Sequence, residues 1–152
     1  MKRIFSGSQN GFTAAEFHCL VDNNDHIMYI IKSEHDRTFG GYCSVKLQPS
    51  KSGYFEDKLA FMIQLDDQKL FKVNKTGSAN YYNSSIILSI GGANDIYIAD
   101  NCNQNQESLT YFPCQYYGPE GTTSMTEETK KYLAGSYNFK VKEIEVFHLN
   151  FQ

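Results

Sequence analysis

No stretch of the chain approaches the ~18 consecutive apolar residues that a membrane-spanning helix needs. Its first segment, MKRIFSGSQNGF, has two basic residues but lacks the apolar run of a secretory leader behind them. These absences speak against membrane insertion and against secretion. None of the four cysteines, Cys19, Cys43, Cys102 and Cys114, forms a CxxC pair, which excludes a zinc ribbon and a thioredoxin motif. The expected setting is intracellular, in the cytoplasm or at an organelle surface reached through a partner, with the thiols reduced. There is no basic excess either: 14 Lys and Arg face 17 Asp and Glu, a net charge of -3. That balance gives no electrostatic case for nucleic acid or an anionic membrane.

Tryptophan is also absent, whereas tyrosine and phenylalanine number 11 each, a usage that favours strands over helices. The hydrophobic share of 41% separates the chain from disordered sequences, and 152 residues suit one domain, 1–152, able to build a core without staples. Arg3–Ser6 reads as a short strand followed by a turn at Gly7 and Gly11. Thr13 and Glu16 form a capping box ahead of the apolar residues Ala14, Phe17, Leu20 and Val21, so a short helix is expected there, stopped by DNND.

Strands dominate after that point. IMYIIK (Ile27–Lys32), apolar on both faces, is expected at the centre of a sheet. FGGYCSVKL (Phe39–Leu47) alternates, and Gly40-Gly41 marks a bulge or a close backbone approach. LAFMIQL, LFKV, IILSI and DIYIA supply further strands, with loops between them. Residues 100–124 read as one long polar and aromatic loop, a place where function or wrapping of the fold is usual. TEETKKYL is helical, capped at Ser124 or Thr126 and ended by Gly135. In the last segment, SYNFKVKEIEVFHLNF, Phe139 and Val141 lie on one parity and Ile144 and Val146 on the other. One face cannot hold both sets, so a bulge is expected near Lys142-Glu143. Seven or eight strands with two short helices give a mainly β fold, an antiparallel β-sandwich.

The polar run DNCNQNQES, Asp100–Ser108, fails as a calcium loop: position three is Cys102, position six is Asn105 and position twelve is Tyr111. No metal site and no cofactor site is expected from it. Asp100, Asn101 and Asn103 read as turn-capping side chains bonding local backbone, and Cys102 as the best-exposed thiol, without a basic neighbour to activate it. His18 and Cys19 are adjacent on a helix and point apart, so they make no dyad. No GxSxG elbow, GxGxxG or Walker motif is present. The best acid/base pair is Glu143 and Glu145, whose Cα atoms would lie roughly 6.5–7 Å apart on one strand face, although two solvated glutamates fit the pattern better. No site forces an enzyme.

The segments SGSQNGFTAAEFH, IIKSEHDRTFGGYCSV, LAFMIQLD, DIYIADNCNQNQES and LAGSYNFKVKEIEVF, in this order and spacing, resemble the TLDc domain of oxidation-resistance proteins. The likeness runs from about Ile4 to Phe147, and the Tyr- and Asn-rich style is most similar to that of protists such as ciliates. It implies a β-sandwich with short helices and a non-catalytic role in protection against oxidative damage. For several relatives it also implies binding to the vacuolar proton-pumping ATPase and promotion of its disassembly. Glu143 and Glu145 match the family's EIEV pattern. The helical segment that members of the family carry before the first strand is missing from this pattern, and ILSIGGANDIYI departs from the family's approach to the same strand. Alternatives to a docking module are a thiol-based protective protein using Cys102, a structural subunit of a larger assembly, and a weak hydrolase built on Glu143 and Glu145.

Overall fold

Alternation decides the centre of the fold. In β2 (Ile27–Ser33) every second side chain is buried, so Ile27, Tyr29, Ile31 and Ser33 face inward while Met28, Ile30 and Lys32 are only half-covered. The computed structural model describes residues 1–151 and places β2 at the middle of a six-stranded antiparallel sheet. Its other members are β1 (Lys2–Ser6), β3 (Thr38–Cys43), β5 (Phe61–Gln64), β6 (Lys69–Lys72) and, closing the chain, β12 (Val141–His148). The order across this first sheet is β1-β12-β2-β3-β5-β6, leaving β1 and β6 at its edges.

The second sheet holds β4 (Gly53–Phe55), β7 (Asn80–Tyr82), β8 (Leu88–Ile90), β9 (Ile96–Ile98), β10 (Ser108–Leu109) and β11 (Asn138–Phe139), in the order β11-β10-β9-β8-β7-β4. Ile31, Ile144 and Val146 from the first sheet share one buried cluster with Ile90, Ile96, Ile98 and Phe139 from the second. This is the expected antiparallel sandwich, held by burial worth about 1.5–3 kcal/mol per large apolar side chain.

Three details follow from single residues. A Cβ on Gly40 would run into the carbonyl oxygen of Tyr29, and one on Gly41 would sit 2.8 Å from Ile90 Cδ1 of the facing sheet. The glycine pair is therefore a close approach without a bulge, since β2 and β3 stay in register throughout. In β12 the ladder to β2 shifts between Val141 and Glu143, as the parity change requires, so Val141, Ile144 and Val146 are all buried. Asp57 trims the neighbouring strands. Its carboxylate accepts from Ser44 N at 2.6 Å, Ser44 Oγ at 2.6 Å and Leu59 N at 2.9 Å. The Ser44 N–H is thereby given to Asp57 while its carbonyl still accepts from His26 N at 3.4 Å, and β3 stops at Cys43 instead of running to Leu47, with β5 starting only at Phe61.

Helices also depart from expectation, with three short ones where two were expected. Gly7–Asn10 is a helical turn, α1, where only a turn was expected; Asn10 Oδ1 accepts from Ser6 N at 2.9 Å and thereby closes it. Next, α2 (Ala14–Val21) keeps half of its capping box: Thr13 Oγ1 accepts from Glu16 N at 3.2 Å, while the Glu16 carboxylate takes the Thr13 hydroxyl at 2.8 Å. The helix near the C-terminal end, α3 (Thr129–Tyr132), is shorter than the sequence suggested, although Thr126 Oγ1 does accept from Thr129 N. It ends before Gly135, at φ 90°.

Segment 100–124 is the main correction. Instead of one surface loop it contains β10, and it drives Cys102, Phe112 and Tyr116 fully into the core. Phe112 meets Phe71 edge-on at 5.0 Å, and Tyr116 OH donates to Ala79 O at 2.8 Å. Tyr111 and Tyr117 are the aromatic side chains of this segment that stay exposed.

Candidate functional site

Most of the residues singled out in the sequence clamp the α1–α2 segment to the sandwich. Glu143 sits just past the β12 register shift, and its Oε1 accepts from Ser8 N at 3.1 Å and from Ile144 N at 2.9 Å. It thus satisfies one of the orphan amides of the α1 turn. Glu145, two residues on, pairs with Arg3 of β1 at 2.5 Å, and Arg3 also donates to Gln9 Oε1 at 3.1 Å. The two carboxylates therefore hold different partners, and each is committed to the fold's own N-terminal segment.

Asp100 acts the same way on α2. Its Oδ1 accepts from Ala14 N at 2.7 Å, a bond across the molecule and not the local turn expected for it. The Asn101 amide donates to Phe12 O at 3.0 Å, and Asn101 Nδ2 donates to Asp100 Oδ2 at 2.8 Å. Asn105, not Asn103, makes the local carbonyl contacts, reaching Asp100 O at 2.9 Å, while Asn103 is exposed.

The expectation for Cys102 is overturned. The residue is fully buried, its carbonyl accepts from Val141 N at 2.9 Å, and burial pushes its thiol up to about 12, with Asp100 adding to the rise. Strand β12 reaches back to tie down this turn, which a local sequence pattern does not report. The exposed thiol is Cys19. Its neighbour His18 turns away from it, with Nδ1 2.7 Å from Asp22 Oδ1 and Nε2 2.8 Å from Ile86 O. Tyr82 OH donates to the other oxygen of Asp22 at 2.7 Å, so this cluster joins α2 to the second sheet.

Among the described residues no group of three or more His, Cys, Asp or Glu is placed to hold a metal ion, and no helix is long and apolar enough to cross a membrane. Asp95 is the most perturbed carboxyl. It is fully buried, accepts from Cys114 N at 2.7 Å and Gln115 N at 2.8 Å, and burial outweighs those donors to push it up to about 6. Those bonds fix the path of the 114–117 segment.

That path creates a large recess beside a free strand edge. Segment 115–117 runs antiparallel to the end of β6, with Asn74 N donating to Gln115 O at 2.8 Å and Tyr117 N to Lys72 O at 3.0 Å. At Gly118 the chain turns away, and Gly118 N donates to Thr122 O at 2.8 Å. A cleft of about 530 Å³ opens between β6, Tyr117, the Gly118–Gly121 turn and Tyr132. Leu70 is 54% exposed at its wall, and on the outer face beyond it Leu59 is 66% exposed. The sequence does carry a signal for this site, a short apolar strand bracketed by lysines (KLFK), but that strand's place at a sheet edge is a fact of topology.

No curated protein matches the chain. A family model described as the TLDc domain matches residues 1–150, nearly the full length, in agreement with the fold derived above. The chain belongs to the TLDc domain family.

Proposed function

We propose that this chain is a non-catalytic docking module that binds a large protein assembly, the vacuolar-type proton-pumping ATPase, from the cytoplasmic side and contributes to resistance against oxidative stress by regulating that pump. The observation that carries the reading is where the chemistry-bearing side chains go. Glu143, Glu145 and Asp100 are spent on Ser8, Arg3 and Ala14, while exposed apolar residues gather around β6. A surface of that kind fits recognition better than turnover. Membership of the TLDc family supports a protein-interaction role in general, and the pump is the partner named by what the family resemblance implies.

The thiol reading loses its main support with the burial of Cys102, whose raised pKa disfavours the reactive thiolate. Co-purification tests the proposal: tagged chain expressed in cells should retain peripheral subunits of the pump. Failure to retain any subunit, under conditions where the pump is both assembled and disassembled, would overturn it.

A further inference from the structure

We infer that the free edge of β6 is the docking element, and that it takes an extended segment of a partner protein bearing alternating aliphatic and acidic residues. The inference rests on the docking reading above and deepens it. In an antiparallel pair the backbone groups of alternate residues point to opposite sides. Lys72 O is bonded by Tyr117 N, so Lys72 points its backbone away from β5, and Leu70, two residues earlier, does the same. No backbone hydrogen bond outside the sheet is made by the Leu70 N–H or C=O, or by the Lys72 N–H, among the described residues. Such a row is a template for a further strand.

The chain already demonstrates that this edge pairs: residues 115–117 add to it as a short antiparallel strand and then leave at Gly118. A partner strand would take up the ladder where Tyr117 departs, along residues 69–71 of β6, a length of roughly 10 Å. Leu70, Tyr117 and Tyr132 offer apolar contact in the cleft.

Charge selects the occupant. Lys69 and Lys72 form no ion pair among the described residues, whereas Glu120 is the single acid lining the cleft. A second copy of this chain is disfavoured, because antiparallel β6-to-β6 pairing would gather Lys69 and Lys72 of both copies along one short ladder with no acid on either β6 strand to separate them. An acidic strand reverses that sign.

The test uses the purified chain and a fluorescein-labelled peptide of alternating valine and glutamate, with a valine–lysine peptide and a backbone N-methylated valine–glutamate peptide as controls. The valine–glutamate peptide should bind, with affinity falling as salt rises. Binding should weaken roughly fivefold or more when Leu70→Pro removes the outward N–H, and similarly in the Lys69→Glu/Lys72→Glu double variant. Hydrogen exchange in the wild type should slow at the Leu70 amide when peptide is added, a readout that does not depend on any variant folding. Absence of binding, equal binding of the N-methylated peptide, or protection confined to other residues would overturn the inference. So would sedimentation of the free chain as a dimer broken by the double variant. Retention of pump subunits by the double variant at the wild-type level would sink the β6 edge while leaving the docking role standing.

Discussion

Glu143 Oε1 accepts the amide proton of Ser8 at 3.1 Å, across 135 residues of sequence, so the end of the chain caps the first helical turn. The same oxygen takes the Ile144 amide at 2.9 Å, at the step where β12 changes phase. Replacing Glu143 with Ala should destabilise the fold by about 1–2 kcal/mol, since bonds to a charged acceptor are lost at a half-exposed site. Urea melts measure the loss, and faster exchange at the Ser8 amide locates it. If Glu143→Ala instead left stability untouched and abolished partner binding, the carboxylate would be a contact and not a clamp.

Gly40 should tolerate no side chain. The Cβ of Gly40→Ala meets the Tyr29 carbonyl, which is backbone and cannot swing aside, so a loss on the order of 3 kcal/mol or failure to fold is expected. Gly77→Ala, with nothing within 4 Å of its added carbon, should be neutral or slightly stabilising. Thermal melting of the two variants side by side provides the comparison.

The buried carboxyl of Asp95 gives a pH dependence with a definite sign. Its ordinary value of 3.8 is raised to about 6 in the fold, so between those pH values the native chain holds a proton that the unfolded chain has released. Stability from this group therefore falls as pH rises from about 4 to about 6, by on the order of 3 kcal/mol, and is level above that. Glu34 contributes with the opposite sign, because the Lys140 amide lowers its carboxyl and its stabilisation is lost as pH falls. Subtracting the stability of Asp95→Asn from that of the wild type isolates the first effect. The difference should shrink steadily from pH 4 to pH 6, and parallel curves would contradict the assignment.

Thiol reactivity should rank by burial. Cys19 is expected to react with a disulfide reagent within the native state, while Cys43 and Cys102 react only on unfolding. Peroxide consumption by Cys102→Ser should equal that of the wild type; a fall would restore the thiol-protective reading.

Legibility in the sequence followed the range of the interactions. The centre of the first sheet was readable because β2 and β12 carry long β-rich runs, and the β12 phase change fixed its bulge from parity alone. Helix α2 was readable from Thr13 and Glu16, two residues of one turn. Strands β4, β7 and β10 were not, since each has three residues or fewer and lies among Gly, Asn and Ser residues, so only neighbouring strands hold it extended. The same limit explains the candidate residues. Nothing near Cys102 in the sequence announces that Val141 will bond its carbonyl and that the sandwich will close over its thiol. Likewise Asp100 was expected to bond its own turn and instead reaches Ala14.

Docking through the β6 edge is the central claim, and one measurement meets it directly. Wild-type chain and the Lys69→Glu/Lys72→Glu variant, each immobilised, are exposed to solubilised vacuolar-type ATPase at physiological salt. Retention of pump subunits by the wild type and their loss from the variant, with both proteins melting alike, is the predicted result. No retention by the wild type would contradict the claim.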